Sequence, residues 1–495
     1  MLYNSTRCRT VEVEASRAIN DGISKDGGLF VPSDIPCIDK AFIDGIKDLD
    51  YIGRAKQVLG LYLTDFTENE IDECVKGAYT GTFDDDIPAP LSDMSDGSYV
   101  LELWHGPTCA FKDMALQLLP HLLTRSSAKV GEGKRTVILV ATSGDTGKAA
   151  LEGFKDVPNT DIIVFYPNDG VSATQKLQMA TQTGSNVCVC AINGNFDDAQ
   201  TGVKRIFTDK EIAARLAQNG MAFSSANSIN WGRLVPQIVY YVSAYCDLLK
   251  ENPELDGFNV VVPTGNFGNI LAAYYAKCMG VPIKKLICAS NSNNVLTDFI
   301  KTGTYDRNRR FYTTISPSMD ILISSNLERL LYHLSGNDDA RVSAWMKSLS
   351  ETGCYTVDDD VKNAVSSLFY AGYADDDETK ATINSMFAER GYLCDTHTAV
   401  AVSVYNKYVE QTGDKTPTVI VSTASPYKFA ADVLDAVKRG AADNLSGIEC
   451  MERLSEITGT PIPLPLEGLS KRDVRFTQTV APENMDDVVF KYLGI

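Results

Sequence analysis

Histidine is scarce in this sequence, with four among 495 residues. His105, His121, His333 and His397 stand far apart, none in an HxH or HExxH arrangement, so a metal site is not expected. The twelve cysteines form no CxxC pair, which points to reduced, mostly buried thiols in a cytosolic protein. Cys188 and Cys190 are spaced to share one face of a strand. Basic residues are outnumbered 46 to 64, leaving a formal net charge of −18. That field repels phosphate backbones and anionic membranes, so neither nucleic acid nor membrane is expected as a partner. The N-terminal stretch lacks an apolar run of secretory length, and no later run is long enough to cross a bilayer. The acidic runs at 358–360 and 375–378 lack the ligand spacing of a calcium loop and are expected as solvated loops or helix starts. No internal repeat is present.

What is present suits a soluble, multi-domain α/β protein. The length divides into two or three domains, and 44% hydrophobic against 22% charged residues leaves ample core. Residues 1–90 read as an N-terminal helical region, ending in the acidic, proline-bearing connector FDDDIPAPL. From Thr136 the runs TVILVAT, DIIVFYP and NVCVCAI alternate with helical patterns, as buried parallel strands do. They define a small α/β domain over 131–223. A second set, NVVVP, KKLICAS and TVIVST, predicts a larger parallel sheet belonging to a domain of 91–130 and 224–440. AVSSLFYAGY reads as a core helix. TPIPLPLEG introduces a C-terminal connector and tail over 441–495.

Four segments carry chemistry. HGPTCAFKD (105–113) puts Lys112 between a short strand and the apolar helix MALQLLPHLLTR, which Pro120 is expected to bend. The positive end of that helix and the neighbouring Phe111 and Trp104 are expected to favour the neutral amine, the nucleophile needed to attack an aldehyde. FNVVVPTGNFGN places Gly265, Asn266, Phe267, Gly268 and Asn269 in a turn entering a helix, a geometry suited to phosphate. It is neither a P-loop nor GxGxxG, and alone it is as readily a tight helix entry. ATSGDTGKAALEGF also fails the P-loop pattern. It reads as a carboxylate-binding turn using Thr142, Ser143 and Thr146, or as a capped helix start. In TVIVSTASPYKFA, Thr423 ends a buried strand with a hydroxyl at the floor of a pocket.

Together these segments resemble the threonine synthases, fold type II (β-family) pyridoxal phosphate enzymes, and the resemblance runs from DGGLFVP to STASPYKF. GNFDDAQ and NSINWGRLVPQ carry it further. The resemblance implies pyridoxal 5'-phosphate attached to Lys112, its phosphate on the 265–269 turn, Thr423 facing the ring nitrogen, and the 143–147 turn holding the substrate carboxylate. Asp145 stands where many fold type II enzymes carry asparagine, which puts its own role as a ligand in question. The implied reaction turns O-phospho-L-homoserine and water into L-threonine and phosphate. Lys112 moves the protons, and Arg233, Lys148 and Asn195 are candidates for the substrate phosphate, Arg233 foremost because a guanidinium grips phosphate in two places. A phospholyase or threonine dehydratase giving 2-oxobutyrate is the alternative within this chemistry, and a nucleotide-binding or regulatory α/β protein the alternative outside it. A cytoplasmic monomer whose small domain closes over the substrate is expected.

Overall fold

The structure, a computed structural model, describes residues 1–84, 87–131, 133–142, 144–168 and 171–495. Asp85 and Asp86 of the acidic connector, and Ser143, lie outside the described residues.

Two sheets organise the chain. The larger runs in the order Phe369–Tyr373, Ile283–Ser290, Phe258–Pro263, Thr418–Ser422, Ser98–Glu102, Leu91–Asp93, parallel except for the last pairing. Its strands are apolar on both faces because both faces are covered. Val260, Val262, Val419 and Val421 point into one core cluster, while Val261 and Ile420 point into another beside helix Thr396–Thr412. Each fully buried valine contributes about 1.5–3 kcal/mol over leaving it exposed. The second sheet, Thr479–Val480, Val187–Ile192, Thr160–Pro167, Arg135–Ala141, Met221–Ser224, is parallel throughout. Ile138, Val140 and Val164 share the first core with the larger sheet. Cys188 and Cys190 do occupy one face, against Met485, Val488 and Val489 of the C-terminal helix Met485–Leu493. All twelve cysteines are free thiols.

Several elements differ from the reading of the sequence. Phe369–Tyr373, the second half of AVSSLFYAGY, leaves helix Asp359–Leu368 and becomes an edge strand on Ile283–Ser290. Pro120 does not bend a helix: a short helix, Asp113–Leu116, stops, and Leu119–Val130 starts with the proline in its first turn, where no N–H is needed. The N-terminal region contains helices such as Tyr51–Tyr62 and Glu68–Tyr79, but also an antiparallel sheet of Cys8–Val13, Tyr3–Ser5 and Phe30–Pro32. Beyond residue 440 the chain carries helix Gly447–Thr458 and returns through Thr479–Val480 to the edge of the second sheet, rather than trailing as a tail. Asp358 and Asp375 stand at helix N-caps, the latter in a capping box with Glu378. Among the described residues no helix is long and apolar enough to cross a membrane.

Helix Trp231–Glu251 is buried along most of its length and divides the molecule's interior. Its start is fixed by Trp231, fully buried among Tyr3, Tyr62 and Tyr275 at ring distances of 5.3–5.6 Å. Tyr275 also bonds His333 at 2.8 Å, tying helix Gly268–Met279 to Leu327–Leu334. Burial pushes His333 down from 6.5 to about 4. The folded state therefore resists protonation, so stability is complete above the unfolded value and declines as pH falls from about 6.5 toward 4, by at most about 3 kcal/mol. His333→Gln is expected to flatten this acid limb in urea unfolding measured across that range, and an unchanged limb would remove His333 as its cause.

Candidate active site

The motifs converge because neighbouring strands of the larger sheet end together. Ser98–Glu102, Thr418–Ser422 and Phe258–Pro263 lie side by side and parallel, so the loops after their C-terminal ends meet, as crevices at such sheet edges do. The Lys112 turn is laced to the Thr423 segment: the Phe111 N–H donates to the Thr423 carbonyl at 2.8 Å, the Ser425 N–H to the Cys109 carbonyl at 3.1 Å, and Ala110 bridges Ala424. Thr423 is thereby held next to Lys112, 6% exposed. Asp113, fully buried, braces the turn by accepting the Thr108 N–H at 2.8 Å and hydroxyl at 2.7 Å. Burial holds its carboxyl up at about 6 against those two bonds.

The Lys112 side chain is 12% exposed, with Nζ 3.7 Å from Asp145 Oδ2 and 4.8 Å from the Phe111 ring centre. Burial pushes it below the usual lysine range; Asp145 pulls it back, and Lys428 and Arg233 push it down again. The cause differs from the one expected. The helix that follows has only four residues and so only a small dipole, and the Phe111 ring attracts a cation rather than repelling it. What favours the neutral form of this amine is lost water and then the neighbouring cations.

The 265–269 turn enters helix Gly268–Met279 with Phe267 in the left-handed region at φ 64°. A Cβ on Gly265 would lie 2.8 Å from the Ser318 carbonyl oxygen, so that position accepts no side chain without movement. Among the described residues, the N–H groups of Gly265, Asn266 and Phe267 donate to no protein acceptor. Asn269 uses its carbonyl to accept from Tyr240 at 2.9 Å and from Tyr241, and its buried amide nitrogen has no partner. Asn326 and Arg329 brace this turn, Asn326 on the Asn266 carbonyl and Arg329 on Asn326. A cradle of unused donors at a helix start suits a phosphate. With Lys112 and the Thr423 hydroxyl beside it, the donor set fits pyridoxal phosphate.

Arg233, in the first turn of Trp231–Glu251, is 4% exposed and faces no carboxylate among the described residues. One guanidinium nitrogen donates to the Ala226 carbonyl at 2.6 Å, while its buried Nε has no partner. Burial pushes it down to about 10. Gln237, one turn on, donates to the Arg233 carbonyl at 2.7 Å and its amide lies near Gly268, so the first turn of this helix neighbours the phosphate turn.

The carboxylate turn comes from the second sheet. Thr142 is consumed structurally: its hydroxyl oxygen accepts from the N–H groups of Gly144 at 3.0 Å and Gly147 at 2.9 Å, fixing the start of helix Asp145–Phe154. Thr146 is half-buried in that first turn. Lys148 is spent on Glu152 at 2.8 Å and on Gln182. Asn195 is exposed and caps helix Phe196–Thr208 by accepting the Asp198 N–H at 3.0 Å. For Thr142, Lys148 and Asn195 the structure therefore supplies a local bonding role in place of a free ligand position.

Reading the sequence left the role of Asp145 open and missed its partners. Asp145, nearly buried, is bound by Lys428 at 2.7 Å, by the Gln175 amide at 2.9 Å and by the Ser318 hydroxyl at 3.2 Å. Burial would raise its carboxyl, but Lys428 and then Lys112 hold it well below the usual carboxylate range. Lys428, in the turn Pro426–Phe429, is fully buried and also donates to the Thr108 carbonyl at 2.8 Å. The only signal was a lysine flanked by Tyr427 and Phe429. Ser318 itself is placed by His397, which accepts its N–H at 3.1 Å and pairs with Asp395 at 2.8 Å.

Comparison with known proteins follows the same lines. Family models match for "Threonine synthase N terminus" over residues 2–79, "Pyridoxal-phosphate dependent enzyme" over 90–424 and "Threonine synthase, C-terminal" over 398–489. Threonine synthase-like 1 of Homo sapiens is 40% identical over 435 residues, 86% of this chain, and the match spans 58% of that longer relative. Threonine synthase of Saccharomyces cerevisiae is 37% identical over 513 residues, covering 98% of both chains. Among solved structures, the pyridoxal phosphate-bound threonine synthase of Brucella melitensis shares 38% identity with a TM-score of 0.88, covering 99% of both chains. The yeast threonine synthase structure shares 33% with a TM-score of 0.89, covering 100% of this chain and 99% of its own. The chain belongs to the threonine synthase family of pyridoxal-phosphate dependent enzymes.

Proposed function

We propose that this enzyme converts O-phospho-L-homoserine and water to L-threonine and phosphate. The observation that carries the reading is two separate sets of anion donors around Lys112: the 265–269 turn with the unpartnered Asn269 amide, and the Arg233 guanidinium, whose buried Nε has no partner and whose charge acts on Lys112. One phosphate belongs to the cofactor, and the second set calls for a second anionic group on the substrate. With the α-carboxylate taken by the 142–147 turn, Arg233 is left for a further anion, and threonine, the substrate of a dehydratase, carries none beyond its carboxylate.

In this reading Lys112 bears the cofactor, the backbone N–H groups of Gly265, Asn266, Phe267 and Gly268 and the amide of Asn269 hold its phosphate, and Thr423 meets its ring nitrogen with a neutral hydroxyl. When bound, pyridoxal phosphate supplies an electron sink that makes the Cα and Cβ protons of an attached amino acid removable. Once released to the free amine, Lys112, whose basicity burial lowers, is placed to take one proton, hold it as ammonium against Asp145, and return it to another carbon. Asp145 stays ionised and orients, since its oxygens are bound by Lys428, Gln175, Ser318 and Lys112. Arg233 grips the substrate phosphate and carries its charge as it leaves. The 142–147 turn, with Thr146 and Ser143, takes the substrate carboxylate; Lys148, bound to Glu152 and Gln182, and Asn195, capping its own helix, are weaker candidates for the substrate phosphate than Arg233.

We assign the pocket to a body of 91–130 and 224–440 and the carboxylate turn to a second body of 131–223, flanked by 1–90 and 441–495. Ser318 and Lys428 reach from the first body to Asp145 of the second. A cytoplasmic monomer remains our reading; the free thiols bear on the compartment alone, and sedimentation velocity tests the oligomeric part. The test of function is incubation of the purified, cofactor-loaded protein with O-phospho-L-homoserine. Threonine and phosphate in equal amounts are expected. Release of 2-oxobutyrate with phosphate would favour a phospholyase, and no consumption would overturn both.

A further inference from the structure

We propose that Lys428 is a positioning residue that takes Asp145 as its own counter-ion and so leaves Lys112 to work as a free amine. The inference rests on the reading of Lys112 as the reacting amine and goes beyond it, to what keeps that amine free.

The pocket brings together three cations and one central anion. Lys112 comes from the turn after Ser98–Glu102, Lys428 from the turn after Thr418–Ser422, Arg233 from helix Trp231–Glu251, and Asp145 from the start of helix Asp145–Phe154. Asp113, next to Lys112 in the chain, turns its carboxylate to Thr108. With all of these groups charged, the water-poor pocket holds an excess of positive charge, and a proton leaves from the cation with the poorest contacts. Arg233 cannot release one. Lys428 has two short contacts, 2.7 Å to Asp145 Oδ1 and 2.8 Å to the Thr108 carbonyl, and its side chain is fully buried. Lys112 has one long polar contact, 3.7 Å to Asp145 Oδ2, with only the Phe111 ring at 4.8 Å besides, and its side chain keeps a little exposure.

The acceptor side is equally one-sided. Asp145 Oδ1 receives Lys428 and the Gln175 amide, and Oδ2 receives the Ser318 hydroxyl at 3.2 Å, so Lys112 is left the outer edge of an already bound carboxylate. A fixed ammonium beside a second lysine favours loss of the second proton, because like charges so close in low dielectric cannot both persist cheaply. Lys428 has a second consequence. Asp145 stands in the turn proposed to hold a carboxylate, where an uncompensated anion would repel the substrate; the Lys428 ammonium cancels that charge.

The test reads the amine itself. The full-length chain, freed of cofactor with hydroxylamine, is trace-labelled with acetic anhydride across pH. Acetylation of Lys112 is followed by peptide mass spectrometry, with the exposed Lys347 as internal reference. In the wild type the midpoint for Lys112 is expected below that of Lys347. Lys428→Met is expected to raise the Lys112 midpoint by about one pH unit or more, since a neighbouring cation is gone and Asp145 is free to pair with Lys112. Lys428→Arg is expected to leave it in place. Asp145→Asn is expected to move it the other way, and serves if Lys428→Met fails to fold. An unmoved midpoint in folded Lys428→Met, or an upward shift in Asp145→Asn, would overturn the proposal while leaving Lys112 as the reacting amine. A wild-type midpoint no lower than that of Lys347 would instead overturn the neutral-amine reading on which it rests.

Discussion

Lys112→Ala is expected to abolish the visible absorption of the cofactor-loaded protein and to lower turnover on the order of a thousandfold, since covalent attachment and proton transfer go together. The fold should not suffer. Lys112 makes one long contact with Asp145, which keeps Lys428, Gln175 and Ser318 when the side chain is cut back. Thermal unfolding of the cofactor-free variant is therefore expected at or above the wild-type temperature, because a buried, poorly partnered polar amine has been removed. Lys112→Arg separates a nitrogen donor from a nucleophile: a guanidinium keeps N–H donors at the site but is never neutral, so it should be as inactive as alanine. Survival of the absorption band in Lys112→Ala, together with its loss in Lys428→Met, would exchange the roles of the two buried lysines.

How much of this was legible in the sequence depended on range. Strands such as Phe258–Pro263 and Thr418–Ser422 were readable because both their faces are apolar, and a strand buried on both faces needs no partner information to be recognised. The edge strand Phe369–Tyr373 was not, since Val361, Val365 and Phe369 continue a helical spacing and only pairing with Ile283–Ser290 pulls the chain straight. The same holds at the site. Lys112, the 265–269 turn and Thr423 follow strand ends, so local pattern announced them. Lys428 and Ser318 act through Asp145, which comes from the other sheet, and no local pattern encodes that meeting. Asn195 shows the converse: it was a candidate for the substrate phosphate, and the structure gives it a local bond the reading did not name, a capping box with Asp198.

Arg233→Met is expected to separate stability from function. Hydrogen bonds to a charged group are worth about 1.5–3 kcal/mol, so loss of a phosphate grip should raise the KM for O-phospho-L-homoserine roughly 10- to 150-fold. The unliganded protein should at the same time become more stable, by about 1 kcal/mol or more, because a buried guanidinium with an unpartnered Nε is replaced by an apolar chain of similar length. A cation held at a cost to the empty protein is explained by an anion that arrives later. The absorption band decides which anion. A retained band with a raised KM assigns Arg233 to the substrate phosphate, whereas loss of the band at ordinary cofactor concentrations assigns it to the cofactor phosphate beside the Gly268 turn. An unchanged KM with a less stable fold would make Arg233 a brace for the Ala226 carbonyl, and the second anion set in this pocket would disappear with it.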